Sequence, residues 1–283
     1  MLDNIKRLVK LLNPSQQKMI LEYPLDLKAR YSSPYHKGLY DIVSANDEKY
    51  AVLLDEFNAH KDYFASLKNL SELSASESSS PAWNNGYLPG LDIISLYGII
   101  TKFNPSTYIE IGSGNSTKVA RNAIENNGLK TKIHSIDPYP RTEIDALSDI
   151  CDRVTIDKAD LSVFDGLGEG DIVYVDNSHV CFPNSDVTIF FLDILPRLKP
   201  GVIVHVHDIY IPYDYPDFMI KRYYSEQYLL ATYMLNSPSY EVLCPNYYIF
   251  EQKELLGRLQ PVWDAIRSKN VEQHGGSFWF KIK

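Results

Sequence analysis

Two groups of residues in this chain have types and spacings that could do chemistry. The first is the run Tyr108-Ile-Glu-Ile-Gly-Ser-Gly-Asn-Ser-Thr117, an apolar strand pattern, a glycine turn and then a helix pattern. Gly112 and Gly114 would let a ligand approach the backbone closely, although a plain strand-to-helix connection uses glycines too. A dinucleotide turn reads G-x-G-x-x-G, and Thr117 stands where its third glycine would be. Glu110 would oppose a pyrophosphate and suits a ligand with a cationic portion, such as an α-ammonium or a sulfonium. Asp137, in Ser135-Ile-Asp-Pro138, falls at the tip of the next strand, about 20 residues on, where a carboxylate can accept both hydroxyls of a ribose. Each such bond is worth roughly 1.5–3 kcal/mol. The plainer role for Asp137 is a turn cap before Pro138. In Lys158-Ala-Asp-Leu161, Asp160 could accept an exocyclic amine, with Leu161 against the ring face.

The second group is Asp176-Asn177-Ser178-His179, after the apolar run DIVYV, together with His205, His207 and Asp208 in VIVHVHDI. If both runs are parallel strands, two acids and two or three imidazoles meet beside the glycine turn. An imidazole titrates near neutrality, so His179 or His207 could take the proton of a hydroxyl nucleophile. A buried His bonded to a strand-end acid would serve packing instead. Asp176 and Asp208 could hold a divalent cation that acidifies such a hydroxyl. His–carboxylate ligation would suit Mn²⁺, Fe²⁺ or Zn²⁺.

The elements that must position these groups follow from the periodicity. Helix patterns cover 91–103, 116–126, 141–150, 187–198 and 255–268, with a long amphipathic stretch at 215–235. Strand patterns cover 108–111, 132–136, 154–156, 171–175, 202–206, 240–244 and 278–282. That alternation predicts an α/β fold, a doubly wound, mostly parallel sheet of about seven strands. Residues 1–80 read as a helical cap, with a stripe at Leu8, Val9, Leu11 and Leu12 and helical spacing from Asp47 to Leu70. The serine-rich stretch Ser71–Ser80 closes it as a loop or linker, and 81–283 form the ligand-binding domain.

Taken together, EIGSGNST, SIDP, KADLSVF, DIVYVDNSH and LKPGVIVHVHDI resemble the class I S-adenosylmethionine-dependent methyltransferases, most of all the methyltransferase-24 branch. The resemblance runs from about Asn84 to Tyr248 and includes NNGYLPGLDIISLYG and RYYSEQYLL. It implies a seven-stranded sheet whose last strand is antiparallel. It also implies Glu110, Gly112, Ser113, Gly114 and Asn115 around the methionine moiety, Asp137 on the ribose, and Asp160 with Leu161 at the adenine. Asp176 completes the implied cofactor set. Some related O-methyltransferases hold a metal with acids at these strand tips, and His207 before Asp208 departs from the usual acidic pair. The expected activity is methylation of a small-molecule or glycan hydroxyl. The alternatives are a metal-dependent hydroxylase-like relative and a non-catalytic cofactor-binding protein; a NAD-dependent enzyme fits least.

Composition narrows the setting. Lys and Arg number 28 against 36 Asp and Glu, a net charge of −8, which disfavours a nucleic-acid partner. No apolar run approaches the roughly 20 residues of a membrane span, and the amphipathic start is unlike a secretory signal. Three scattered cysteines make neither a disulfide framework nor a zinc motif, so a cytoplasmic protein is expected, with self-association left open. Trp83, Tyr87, Tyr210, Tyr213, Tyr215, Tyr223, Tyr224 and Tyr228 are candidate acceptor contacts, although core is the default for most of them. Arg141, Arg222 and Glu226 read as solvated rim charges, and Asp214 as a turn cap.

Overall fold

The computed structural model describes residues 22–140 and 145–283; the stripe at 8–12 and Arg141 lie outside them. Strands β1 (Thr107–Ile111), β2 (Lys132–Ile136), β3 (Ile150–Asp152), β4 (Ile172–Val175), β5 (Ile203–Val206), β6 (Tyr240–Pro245) and β7 (Phe278–Ile282) form one sheet in the order β3-β2-β1-β4-β5-β7-β6. Strands β1 to β5 pair in parallel, and β7 runs antiparallel between β5 and β6. Every residue of β4 and β5 is buried, as a parallel sheet covered on both faces requires. The doubly wound, seven-stranded architecture expected from the alternation is the one observed.

Helices α1 (Lys37–Ser44), α2 (Asp47–Phe57) and α3 (Lys61–Ser66) precede the sheet, and their apolar side chains share one core with it. Helix α4 (Gly90–Phe103) is buried from Gly90 through Ile100, as a helix that is apolar all round must be. It lies so close to α2 that a Cβ on Gly98 would stand 2.2 Å from the Phe57 ring. Helix α5 (Asn115–Asn126) follows β1, and α6 (Asp186–Ile189) continues through a π turn and a 3₁₀ turn to Arg197.

Two expectations are corrected, and a third, left open, is resolved. The third strand is Ile150–Asp152, not 154–156, and the described part of 141–150 is a turn leading into it. An edge strand with an exposed face needs no apolar run. Asp149 sets its register, because the Ile133 amide donates to its carboxylate at 2.9 Å and Arg121 pairs with it at 2.8 Å. The stretch 215–235 is two helices, α7 (Asp217–Ile220) and α8 (Glu226–Asn236), parted where Tyr223 takes φ +62°. Of loop and linker, the two readings of the serine-rich segment, the structure has a pinned loop. Glu72 and Glu77 accept from the Asn69 and Ser74 amides at 2.8 and 3.0 Å, and the fully buried Trp83 donates to the Phe64 carbonyl at 3.1 Å.

Strand order reverses between β1 and β4, since the chain leaves β1 toward β2 and leaves β4 toward β5 on the other side. In an open α/β sheet, the crevice outside the carboxyl ends of two such strands is where ligands bind.

Candidate functional site

The glycine turn leaves β1 into this crevice. Gly112 has φ +84°, and a Cβ there would stand 2.0 Å from the Asp176 carbonyl oxygen, so only glycine lets β1 pass the tip of β4. The Asp176 amide donates to the Ile111 carbonyl at 2.9 Å and locks the two tips together. Thr117 replaces the third glycine for a visible reason. Its hydroxyl accepts from the Gly114 amide at 3.0 Å, capping α5, and donates to Glu110 at 2.5 Å.

Glu110 lies beneath the turn, fully buried, and does not line the cavity. It accepts from the hydroxyls of Thr117, Ser135 (2.5 Å) and Ser116 (3.3 Å). Burial nonetheless pushes its carboxyl up to about 7, against the lowering effect of those donors. Glu110 thus stands behind the wall that Gly112 and Ser113 form. Gly114 and Asn115 also stand off the cavity wall, whereas Gly112 and Ser113 are part of it.

Asp137 lines the cavity at the tip of β2. The Ser113 amide (2.8 Å) and hydroxyl (3.0 Å) donate to one carboxylate oxygen, and the Tyr139 amide donates to the other at 2.8 Å. Those bonds fix its plane and leave lone pairs facing the cleft. Asp160 is placed elsewhere: it is exposed, caps the 3₁₀ turn Leu161–Gly166 by accepting from the Ser162 amide at 3.0 Å, and does not line the cavity. Leu161 packs on the core. Ile156 and Asp157 line the cavity instead. The displacement follows from β3 beginning four residues earlier than its apolar pattern suggests.

The tips of β4 and β5 bring Asp176, His179, His207 and Asp208 together. His179 Nε2 is 3.3 Å from Asp176 and 3.5 Å from Asp208; His207 Nδ1 is 3.5 and 3.6 Å from the same two residues. On their far sides the rings meet two further carboxylates. His179 Nδ1 is 2.9 Å from Glu226 Oε2, and His207 Nε2 is 3.2 Å from Asp92 Oδ2. Both imidazoles are buried, and Asp92 and Glu226 are completely so. Burial alone would lower both rings, but the surrounding carboxylates outweigh it and raise His179 to about 10 and His207 well above its usual value. Asp176 lies well below the carboxylate range, since His207 and His179 overcome the effect of burial. His205 does not join them. It is fully buried, stacks on Tyr174 at 3.7 Å between centroids, and meets the Ser277 hydroxyl at 2.8 Å.

Glycine turn, Asp137 and cluster open onto one cavity of about 1060 Å³. Its lining carries six carboxylates, Asp137, Asp157, Asp176, Asp186, Asp208 and Glu272, against Arg222 and the imidazoles of His179, His207 and His274. Arg222 lies over the Tyr224 ring at 4.8 Å. Of the aromatic candidates, Tyr87, Tyr210 and Tyr224 line the cavity, while Trp83 and Tyr215 are core. Asp214, expected to cap a turn, instead ties distant segments together, accepting from the Arg30 amide at 2.7 Å and the Tyr228 hydroxyl at 2.7 Å.

Asp92 was not singled out in the sequence, and Glu226, expected as a solvated rim charge, is instead completely buried behind His179. Each sits in the first turn of a helix, where an acid ordinarily faces the helix dipole and solvent. For Asp92 the local signal is its position inside an apolar run; Glu226 has none.

Residues 109–209 match a family model described as a methyltransferase domain. Among solved structures, an O-methyltransferase from Bacillus cereus with SAH is 13% identical, with 88% of this chain and 96% of that chain covered and a TM-score of 0.37. The Podospora anserina methyltransferase PaMTH1 bound to SAH is 16% identical, with 93% and 100% covered and a TM-score of 0.40. A structure of CmcI with Mg and SAM is 14% identical, with 69% and 72% covered and a TM-score of 0.39. The comparison with curated proteins gives no match. The matched segment holds the turn, Asp137, and all four inner members of the His–Asp cluster.

Proposed function

We propose, for a chain that belongs to the class I S-adenosylmethionine-dependent methyltransferases, that the methyl group goes to a hydroxyl oxygen of a small-molecule or glycan acceptor. The observation that carries this reading is the single acidic cavity that joins Asp137 to the His–Asp cluster across the β1/β4 switch point.

The residues present fit the cofactor. Asp137, held by Ser113 and Tyr139, offers its free lone pairs to a ribose diol. Ile136 and Ile156 give apolar faces for a flat base, and Asp157 an acceptor for its exocyclic amine. Gly112 and Ser113 bring backbone to the same wall without a bulky side chain. The surplus of carboxylates favours a sulfonium and an ammonium over a diphosphate. Bound there, S-adenosylmethionine would supply an electrophilic methyl group.

The acceptor side is the cluster and the rim. Tyr87, Tyr210 and Tyr224 offer ring faces and hydroxyls, which suit sugar or planar acceptors. Asp176 and Asp208 reach the cavity wall and can hold an acceptor hydroxyl. His179 and His207, the sequence-expected bases, sit with carboxylates at both ring nitrogens. A proton held in that way must leave before either ring can accept another, so neither acts as a simple free base.

Isothermal titration with S-adenosylmethionine and with SAH tests the reading, followed by a methyl-transfer assay on hydroxylated acceptors. Saturating either ligand should raise the unfolding temperature, since 100-fold excess over Kd adds about 2.7 kcal/mol, and NAD should not. Absence of binding at millimolar cofactor would overturn it.

A further inference from the structure

We propose that His274 is the general base for the acceptor hydroxyl, in place of the two imidazoles at the strand tips. The role rests on the methyltransferase reading, because a hydroxyl nucleophile must lose its proton as its oxygen takes the methyl group. His274 lies outside residues 109–209, the segment that matches the family model.

Topology brings it to the site. Strand β7 runs antiparallel to β5, with Phe278 opposite Val206. It therefore enters the sheet at the edge where the parallel strands leave, and the residues just before it arrive beside the ligand crevice. Segment 271–276 is laid along the start of α4. The Gly90 amide donates to the Glu272 carbonyl at 3.0 Å, the Leu91 amide to the His274 carbonyl at 3.2 Å, and the Gly276 amide to Asp92 at 2.9 Å. A Cβ on Gly90 would stand 2.5 Å from the Glu272 carbonyl oxygen, so α4 opens with glycine where the segment crosses it. Two residues after His274, Gly276 packs against Asp208, where a Cβ would stand 3.3 Å from the Asp208 Cα. His274 thus lines the cavity on the Asp208 side, and β1, β4 and β5 separate β7 from the β2 tip that carries Asp137. That is the acceptor side of the cavity.

Of the seven histidines, His179, His207 and His274 line the cavity. The other four are engaged elsewhere: His36 caps α1, His60 lies edge-on to Tyr97, His134 pairs with Asp152, and His205 stacks on Tyr174. His179 and His207 have carboxylates at both ring nitrogens, and those carboxylates keep both rings protonated at neutral pH. A ring that already carries both protons cannot accept another. His274 differs. Its Nδ1 meets one carboxylate, Glu272, at 3.5 Å, beyond the roughly 2.7–2.9 Å of a charge-assisted hydrogen bond. Its Nε2 has no hydrogen-bond partner among the described residues, and the ring rests edge-on against Phe250. One nitrogen is therefore available to a hydroxyl in the cavity.

In the step, the acceptor O–H bond breaks and its proton goes to His274 Nε2. The electron pair stays on oxygen and becomes the new bond to the methyl carbon, while the pair of the broken carbon–sulfur bond stays on sulfur. The imidazolium stands beside Glu272, which offsets its charge, and 33% of the His274 side chain is exposed, a route for the proton to water.

The full chain is assayed with S-adenosylmethionine on a panel of hydroxylated glycosides and phenols, with cofactor binding followed by calorimetry. His274→Ala and His274→Gln should lower kcat by roughly 100- to 10,000-fold, with the S-adenosylmethionine Kd unchanged. Added imidazole should restore part of the rate to His274→Ala, which a merely structural defect would not allow. Apart from turnover, the ring proton NMR signals of His274, identified by their loss in His274→Gln, should move when para-nitrophenol is added to the SAH complex. Circular dichroism establishes that each variant is folded. Unchanged kcat in folded His274→Gln, no rescue by imidazole, or ring signals indifferent to para-nitrophenol would each overturn the proposal and leave the methyltransferase reading standing. No turnover of any acceptor by the unmodified chain would overturn it together with hydroxyl methylation, and calorimetry then separates that failure from a failure to bind the cofactor.

Discussion

Glu110 gives the sharpest test of how burial, rather than motif position, sets the behaviour of this site. Its carboxyl is completely enclosed and pushed up to about 7 from an ordinary 4.5. A carboxyl whose folded-state value is raised binds its proton more tightly in the folded chain. Its contribution to stability is therefore fully present below about 4.5 and is lost as pH rises through about 7. A shift of about 2.5 units at roughly 1.4 kcal/mol per unit amounts to on the order of 3 kcal/mol. Glu110→Gln removes the titration and keeps the shape. The amide oxygen can still accept from Thr117 and Ser135, and the amide nitrogen takes the place of Oε2, where the Ser116 hydroxyl can accept from it. Urea unfolding of both proteins from pH 4.5 to 8 measures the effect. The stability of the variant relative to the parent should climb by about 3 kcal/mol across that range and level off above pH 7.5. Parallel pH profiles would refute the reasoning, because they would mean that Glu110 is charged in the folded chain as readily as in the unfolded one.

Other outcomes follow from the same geometry. Gly112→Ala puts a methyl group 2.0 Å from the Asp176 carbonyl oxygen at a positive φ. It should cost about 3 kcal/mol in urea unfolding and weaken S-adenosylmethionine in titration calorimetry. If Asp137 accepts both ribose hydroxyls as proposed, Asp137→Ala removes two charge-assisted bonds and should weaken the cofactor by roughly 100-fold or more, with a smaller loss of stability. Asp157→Ala should weaken S-adenosylmethionine about 10-fold, while Asp160→Ala should leave its Kd within about 2-fold, since only Asp157 lines the cavity. The opposite order in calorimetry would restore Asp160 to the adenine.

The fold was legible wherever burial on both faces forces a continuous apolar run. Strands β4 and β5 are buried along their whole length, and their patterns placed them to within a residue or so. Strand β3 was misplaced because an edge strand can be polar; its register comes from Asp149 and the pairing of His134 with Ile150. With β3 placed four residues earlier, Ile156 and Asp157 line the cavity and Asp160 and Leu161 do not. The inner cluster was legible for a topological reason. Adjacent parallel strands end on the same edge, so polar residues directly after two apolar runs must meet.

What lay behind the cluster could not be read locally, because a first-turn acid looks the same whether it faces water or an imidazole. Asp92 reaches His207 only because α4 is buried against the sheet and the Gly276–Ser277 backbone closes over its carboxylate. Glu226 reaches His179 because the His179 carbonyl accepts the Ser225 and Glu226 amides at 2.8 and 3.2 Å, which docks the start of α8 on the β4 tip. His179 itself takes φ +60°, in the left-handed region that is uncommon outside glycine. The backbone is thus bent at the point where the ring must turn back toward Asp176. Helix docking, strained turn and buried acid converge on the orientation of two ring nitrogens, and a site that needed only a loose general base would not require all three.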